Sequence, residues 1–369
     1  MQITIEKHNL LEGVQRVQNV VDKKNTIPVL SNILLETEAG GNTLQLTATN
    51  LEVGISTKLP VSECTEGSIT APAQKIFEIL RELPDAPLTL AVDANNRITI
   101  ECAKANFKLA GLPKTDFPEL PVFSSQNTLT FQQAVLKDMI TKTSFAVSHD
   151  ESRYALTGVL FSVDAQQVSM VATDGHRLAV IKKAHNLEFG DAPIEVIIPL
   201  KAMTEVKKLC DVEGMIAVNL SESQIAFRKD GTLLVSRLID AQFPDYRQVI
   251  PNDSRFKVAL EKEQLNSAIR RVSLLCGDSK LIKFTVSAQQ VNLSSTDPNM
   301  GEAEESIPAD YAGEEMAIGF NARYVLDFLA VASGEKIYLG LNDSLSPGLF
   351  TSEAEEDAGF ACVVMPMRV

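Results

Sequence analysis

Three segments of the chain share one pattern of apolar and polar positions. Each opens with two alternating apolar residues, which indicate the end of a strand, and continues with apolar residues at helical spacing. The segments are 3–10, 129–136 and 258–265. The pattern predicts a strand that runs directly into an amphipathic helix, three times.

Further landmarks recur in the same order. An alternating strand that ends in Thr and then Asn or Asp closes at Asn50, Asp174 and Asp297, which are 124 and 123 residues apart. A strand leads into a second helix at 71–80, 198–206 and 320–328, and a Phe-Pro pair stands at 117–118 and again at 243–244. The length of 369 residues is three times 123. We therefore predict a triplicated unit, with domains at 1–125, 126–254 and 255–369.

Each unit also predicts a fold class. Short alternating strands, separated by turn signals such as 39–42 and 93–96, lie between its two helices. This order is typical of an α+β domain in which two helices are backed by antiparallel sheets. Three similar domains of this kind would contain six helices.

Composition bounds the class of protein. With 45% hydrophobic and 22% charged residues, the chain has the composition of an ordinary globular protein. The five cysteines lie far apart, which indicates neither a disulfide framework nor a zinc site. Charged residues interrupt the first twenty positions, so we predict no secretory signal. No run approaches the ~18 apolar residues that a membrane span needs, so we predict no membrane span and a cytoplasmic location. We expect no cofactor and no bound metal.

The net charge of −14 argues at first against a nucleic acid partner. The approximate helical segments nevertheless carry a net +6, which leaves −20 for the rest of the chain. The basic residues on or beside the helices include Lys23, Lys24, Lys142, Lys201, Lys207, Lys208, Arg270 and Arg271. Two interpretations remain open, namely ordinary solvated helix faces, or a helix-lined surface that binds a polyanion through weak phosphate contacts.

Three motifs resemble those of the bacterial sliding clamp family, the β subunit of DNA polymerase III. They are the segments 171–180, 236–247 and 363–369, and the resemblance extends over the whole chain. It implies a head-to-tail homodimer whose six domains form a closed ring, with helices lining a channel around duplex DNA. It also implies a processivity factor without catalytic activity, bound to DNA by topology and without sequence specificity.

The resemblance implies a hydrophobic groove between the second and third domains that captures a short peptide from other proteins. The expected partners are the replicative polymerase alpha subunit, the clamp-loader delta subunit, translesion polymerases, mismatch-repair proteins and ligase. Met suits such a surface because it is adaptable. The matching positions are Leu156, Thr173, Gly175, His176, Arg177, Leu178, Pro244, Gln248, Val249, Val363, Met365, Pro366, Met367 and Arg368.

The same residues have simpler interpretations when the family is left aside. Asp174 and Gly175 form a hairpin-turn signal, and this turn could present the groove residues. His176 alone would be a structural histidine, and the apolar terminus could be a last core strand. Gln248 departs from the Arg that some family members have at this position.

The resemblance also implies contacts with DNA and between subunits. The DNA-binding positions are Lys24, His149, Arg153, Tyr154 and Lys201, while Asp150 and Ala155 depart from the residues of some members. The dimer contact would join Phe107 and Leu109 of one subunit to Leu274 and Leu275 of the other.

Two rival functions remain. A hydrolase could use Thr173, Asp174 and His176, but the four scattered histidines offer little support for a catalytic constellation. An acidic, monomeric scaffold could bind peptides but not DNA.

Overall fold

The computed structural model of the chain describes residues 1–21, 27–38, 42–121, 128–185 and 193–369. The predicted DNA contact Lys24, and the predicted domain boundary after residue 125, lie outside these ranges. Within them, one order of elements is repeated three times. Each copy runs strand, helix, four strands, helix and three strands, and the first copy has one additional short strand.

The first copy contains helices α1 (Lys7–Gln18) and α2 (Ala73–Glu82). Its strands are β1 (Gln2–Glu6), β2 (Asn32–Thr37), β3 (Thr43–Thr49), β4 (Val53–Pro60), β5 (Glu63–Thr65), β6 (Gly67–Pro72), β7 (Pro87–Val92), β8 (Arg97–Cys102) and β9 (Ala105–Ala110). The predicted strand-to-helix junctions are present, since β1 leads into α1 and β6 leads into α2.

The second copy contains α3 (Gln133–Ser144) and α4 (Leu200–Leu209). Its strands are β10 (Thr128–Gln132), β11 (Gly158–Val163), β12 (Gln167–Thr173), β13 (Arg177–Ala184), β14 (Ile194–Pro199), β15 (Met215–Leu220), β16 (Gln224–Lys229) and β17 (Thr232–Arg237).

The third copy contains α5 (Lys262–Val272) and α6 (Ala322–Val331). Its strands are β18 (Phe256–Glu261), β19 (Leu281–Ser287), β20 (Gln290–Asp297), β21 (Gly301–Pro308), β22 (Met316–Asn321), β23 (Lys336–Leu341), β24 (Gly348–Ser352) and β25 (Phe360–Val364).

The strands form four antiparallel sheets. One has the order β5-β1-β7-β8-β9, and a second has the order β21-β20-β19-β22. The other two each have eight strands, β10-β15-β16-β17-β4-β3-β2-β6 and β14-β11-β12-β13-β25-β24-β23-β18. Each eight-stranded sheet joins four strands of one copy to four strands of the next, through the pairs β17–β4 and β13–β25.

The chain divides into two compact units. The first contains Met1–Ala134 and Thr204–Leu238, and the second contains Val135–Met203 and Ile239–Val369. Each unit holds one whole eight-stranded sheet because strand pairing, rather than chain order, brings its residues together.

Helices pack on the sheets through one apolar face. In α1 the buried residues Leu10, Val14 and Val17 follow helical spacing and lie against β3 and β4, while Arg16 on the same helix remains partly exposed. The corresponding face of α5 is formed by Leu265, Ile269 and Val272, which pack on β20 and β21. The structure thus confirms the predicted fold class of helices backed by antiparallel sheets.

No helix in the described part of the chain combines the length and the apolar character that crossing a bilayer requires.

Candidate functional site

The turn between β12 and β13 presents the first predicted motif. The Asp174 Oδ1 atom accepts hydrogen bonds from the backbone N–H groups of His176 at 2.9 Å and Arg177 at 3.0 Å. The Thr173 hydroxyl donates to the Arg177 carbonyl at 2.6 Å and accepts from the Gly175 N–H at 3.1 Å. Gly175 has a φ of +86°, a left-handed conformation that glycine adopts without strain.

The repeated Thr and Asn or Asp landmark therefore has a structural cause. In the first copy Asn50 Oδ1 accepts from the Val53 N–H at 2.9 Å, and in the third copy Asp297 Oδ1 accepts from the Asn299 N–H at 2.8 Å. A short side-chain acceptor at the end of a strand closes the turn in all three copies. The landmark by itself consequently marks a turn.

Arg177 distinguishes the second copy from the others. Its side chain is 7% exposed, and its guanidinium pairs with Asp174 at 3.1 Å and with Asp327 of α6 at 2.6 Å. Its Nη2 atom also donates to the Phe145 carbonyl. Burial raises the pKa of the neighbouring Tyr324 hydroxyl, and the charge of Asp174 adds to that rise.

A cavity of about 160 Å³ lies beside this turn. A buried apolar cluster that includes Leu178, Tyr246 and Val363 underlies it. The cavity is lined by Leu156, Thr173, Gly175, Arg177, Leu178, Pro244, Asp245, Tyr246, Val249, Val363 and Met365. Its wall is mainly apolar and includes the polar residues Thr173, Arg177 and Asp245, a combination found in small-ligand and peptide pockets.

Backbone hydrogen bonds hold the C-terminal segment against the cavity. The Met365 N–H donates to the His176 carbonyl at 2.9 Å, and the Met367 N–H donates to the Gly319 carbonyl at 2.8 Å. Met365 is 41% exposed, so its side chain stands at the rim and is open to a ligand. Val363 belongs to β25, which pairs with β13 opposite Leu178.

The structure brings nine of the fourteen residues of the predicted groove to one cavity and leaves five outside its lining. Those five are His176, Gln248, Pro366, Met367 and Arg368. His176 is exposed and contributes its backbone carbonyl, and Gln248 donates to Asp245 at 2.9 Å. Sequence reasoning missed Asp245 and Tyr246 as lining residues, although both directly follow Pro244 of the repeated Phe-Pro landmark.

The described residues predicted to contact DNA lie on connected segments. His149 precedes a 3-10 turn, Glu151–Leu156, that carries the exposed side chains of Arg153 and Tyr154. Lys201 lies in the first turn of α4, and the preceding Leu200 N–H donates to the Thr157 carbonyl at 3.4 Å. Arg153 also donates to the Asp174 carbonyl at 2.8 Å, so this loop contacts the turn beside the cavity.

Asp150 caps the same loop. Its carboxylate accepts from the Ser152 hydroxyl at 2.7 Å and from the Ser152 N–H at 3.0 Å. These two hydrogen bonds lower the pKa of Asp150. Asp150 thus closes a local turn and places a negative charge 3.7 Å from Arg153 Nε.

The helices within the described residues carry 13 basic and 7 acidic side chains, a net +6 that agrees with the sequence estimate. Part of this positive charge is not available to a ligand. Lys142 is 1% exposed and ion-paired inside the protein, so its inclusion among surface charges was wrong. Arg271 pairs with Glu305 of β21, which neutralises part of the remaining charge, whereas the pair of Lys208 with Glu205 lies within α4 and is already counted in the net +6.

The residues of the predicted subunit contact lie at sheet ends. Phe107, which is 37% exposed, and Leu109 belong to β9, the end strand of its sheet. Leu274, which is 74% exposed, and Leu275 form a 3-10 turn after α5 that packs against β21, also an end strand.

Two of the three residues of the rival hydrolase hypothesis have structural roles in the turn. The Thr173 hydroxyl and the Asp174 carboxylate are committed to the turn and to Arg177. The described ranges also contain no group of three or more His, Cys, Asp or Glu residues that could hold a metal ion. The fold defines a three-domain clamp protein, and the cavity lies beside the turn of its second copy.

Comparison with known proteins agrees with this class along the whole chain. Residues 1–121, 130–245 and 247–368 match the models of the DNA polymerase III beta subunit N-terminal, central and C-terminal domains. A beta sliding clamp of Pseudomonas putida is 35% identical over 373 residues, and the match covers 100% of both chains. One of Chlamydia muridarum is 34% identical over 370 residues, and the match covers 100% of this chain and 99% of that relative. The chain therefore belongs to the DNA polymerase III beta subunit family.

Solved structures agree. The sliding clamps of Pseudomonas aeruginosa and Bartonella birtlesii, both bound to griselimycin, match with TM-scores of 0.93 and 0.94 at 33% and 34% identity. Each match covers 100% of both chains. The function of the chain is that of a sliding clamp, the processivity factor of the polymerase, and it is a non-catalytic accessory subunit. Its partners accordingly include DNA and polymerase.

Proposed function

We propose that two copies of the chain associate head to tail into a closed ring that encircles duplex DNA in the cytoplasm. The domains of this ring would extend over 1–125, 126–254 and 255–369. The sheet pairing carries the proposal. β17 of the second copy joins β4 of the first, and β25 of the third joins β13 of the second, which leaves β9 and β21 as the corresponding end strands.

The two end strands are suited to pair with each other across a subunit boundary. An end strand presents unpaired backbone groups that favour the addition of another strand. β9 and its turn carry the exposed Lys104 and Lys108, whereas β21 carries the exposed Glu302 and Glu304. Phe107 and Leu109 would pack against Leu274 and Leu275 of the partner subunit, with opposite charges around the apolar contact.

The helices would line the channel and hold DNA loosely. Contacts from Lys24, His149, Arg153, Tyr154 and Lys201 to phosphates carry no sequence information, so they permit sliding. The net −20 on the rest of the chain would discourage DNA from binding elsewhere.

The cavity beside Arg177 would capture a short peptide with apolar side chains. Its mainly apolar lining and its rim Met365 suit an anchor that several partners can share. The proposed partners are the replicative polymerase alpha subunit, the clamp-loader delta subunit, translesion polymerases, mismatch-repair proteins and ligase. The five groove positions outside the cavity lining, His176, Gln248, Pro366, Met367 and Arg368, would form its rim.

Retention on DNA of different topology tests the ring. The protein is loaded with its clamp loader onto nicked circular plasmid and then passed through a gel-filtration column. We expect it to elute with the circle, and to be released when one restriction cut makes the plasmid linear. Equal retention on circular and linear DNA would show direct affinity and contradict encirclement.

A further inference from the structure

The guanidinium of Arg177 donates hydrogen bonds to three groups of the protein itself. Nε lies 3.1 Å from Asp174 Oδ2, and Nη1 lies 2.6 Å from Asp327 Oδ2. Nη2 donates to the Phe145 carbonyl. Two carboxylates thus face one cation that is 7% exposed, so little of its positive charge remains to attract a ligand.

Two residues of helix α6 contact this guanidinium. Asp327 supplies the ion pair, and the ring of Tyr324 lies under the guanidinium with its centroid 4.5 Å away. Residues three apart share one face of a helix, so both contacts come from a single turn of α6. The Phe145 ring, with its centroid 5.3 Å away, completes the enclosure.

The backbone of Arg177 connects its enclosed side chain to the residues that line the cavity. Its carbonyl accepts from the Thr173 hydroxyl at 2.6 Å, and its N–H donates to Asp174 at 3.0 Å. Arg177 also pairs with Val364 in the β13–β25 ladder, beside the pair of Leu178 with Val363. The backbone of one residue therefore connects the guanidinium to one wall of the cavity.

We propose that Asp327, which does not line the cavity, is a positioning residue for peptide capture and acts through Arg177. This inference rests on the proposed capture of a peptide in this cavity. Arg177 is held in one position and shapes the cavity wall. It does not bind an acidic side chain of the peptide. The groove accordingly selects its peptide at this wall by shape.

Peptide affinity tests the inference. The probe is a fluorescein-labelled peptide copied from the clamp-binding segment of the replicative polymerase alpha subunit, made in its native form and in a form with one added Asp. Asp327→Asn removes the charge from the pair, and we expect it to weaken both peptides by about tenfold. Asp327→Glu restores the carboxylate and should recover most of the affinity.

Glu263→Gln is the matched control, since it removes one exposed carboxylate from α5 of the same copy. It should leave both affinities within about twofold of the wild type. Wild-type affinity in Asp327→Asn would overturn the inference. So would a selective gain for the peptide with the added Asp, because that gain would show that Arg177 binds peptide charge directly.

Amide exchange separates this inference from the proposed function. The Met365 N–H donates to the His176 carbonyl, so a loosened turn exposes it. Asp327→Asn should speed exchange at Met365 and Arg177 without any peptide present, and unchanged exchange would contradict the positioning role. Deletion of 365–369 tests capture itself, because peptide affinity that survives the deletion would place the groove elsewhere.

Discussion

Lys142 is the most deeply buried cation among the described residues, with 1% of its side chain exposed. Its Nζ lies 2.7 Å from Asp357 Oδ1 and 2.8 Å from Asp138 Oδ1. Burial raises the pKa of Asp357, but hydrogen bonds from Lys142 and from the N–H and hydroxyl of Ser333 outweigh it and lower that pKa overall. The sequence pattern places Lys142 on a helix surface, whereas in the fold it forms an internal ion pair.

Substitution of Lys142 tests the strength of this pair. Lys142→Met leaves Asp357 buried without its cation, and we expect a loss of about 3–5 kcal/mol in the free energy of unfolding. The double variant Lys142→Met, Asp357→Asn should lose less, because no buried charge remains. Urea denaturation at pH 7 measures both, and equal losses would contradict the pair as the cause.

The pH dependence has a definite sign. The folded-state pKa of Asp357 lies below its ordinary value of 3.8, so its stabilising contribution is present above about pH 4 and is lost as the pH falls through the folded value. The difference in stability between wild type and Lys142→Met should therefore shrink in acid.

At the scale of the element, the strand-end turn of the second copy lies beside the cavity that we propose as the peptide site. Asn50, Asp174 and Asp297 close their turns in the same way. In the second copy the turn also carries Gly175 and Arg177, and it lies beside the cavity. The residues that differ between the copies thus distinguish the turn at the proposed site from the other two turns.

Gly175→Ala tests the turn. A φ of +86° is strained for alanine, and a Cβ there would lie 2.8 Å from Arg153 Nη1, so we expect a loss of about 1 kcal/mol in stability and weaker peptide binding. Gly231→Ala is the matched control, with a φ of +75° in another hairpin and no close contact for a Cβ. It should lose similar stability and keep its peptide affinity. Equal affinities in the two variants would refute the role of the turn.

At the scale of the whole molecule, strand addition joins the copies of the unit. The same strand position pairs with the next copy at β4 and at β13, and the third copy presents the equivalent strand β21 as a sheet end. Leu274, 74% exposed beside it, is an apolar side chain that a second subunit would cover.

Light scattering tests the dimer. We expect a mass of about twice 40.2 kDa for the wild type. Leu274→Lys removes an apolar contact and faces the basic β9 edge of the partner subunit, so it should weaken association by about 2 kcal/mol or more. Val212→Lys, at an equally exposed apolar residue with 79% exposure, is the control and should remain dimeric. A wild-type mass near 40 kDa would contradict the ring.

The spacing of apolar residues along the sequence predicted much of the fold. The openings at 3–10, 129–136 and 258–265 predicted strand-to-helix junctions that the structure contains, because apolar spacing along a segment records which face it buries. The cavity was predicted less completely. Tyr246 lines it through packing with Phe243 at a centroid distance of 6.5 Å, and no spacing rule reports a contact of that kind.

The sequence by itself determined the threefold repeat, the α+β class and the partition of charge between helices and the rest, since each is a sum over local positions. Only the tertiary structure decided that Lys142 is internal, that Arg177 is neutralised by Asp327, and which strands of one copy continue the sheet of another. Asp327 lies 150 residues from Arg177. Contacts between such distant residues depend on how complete sheets and helices pack, which local periodicity does not record.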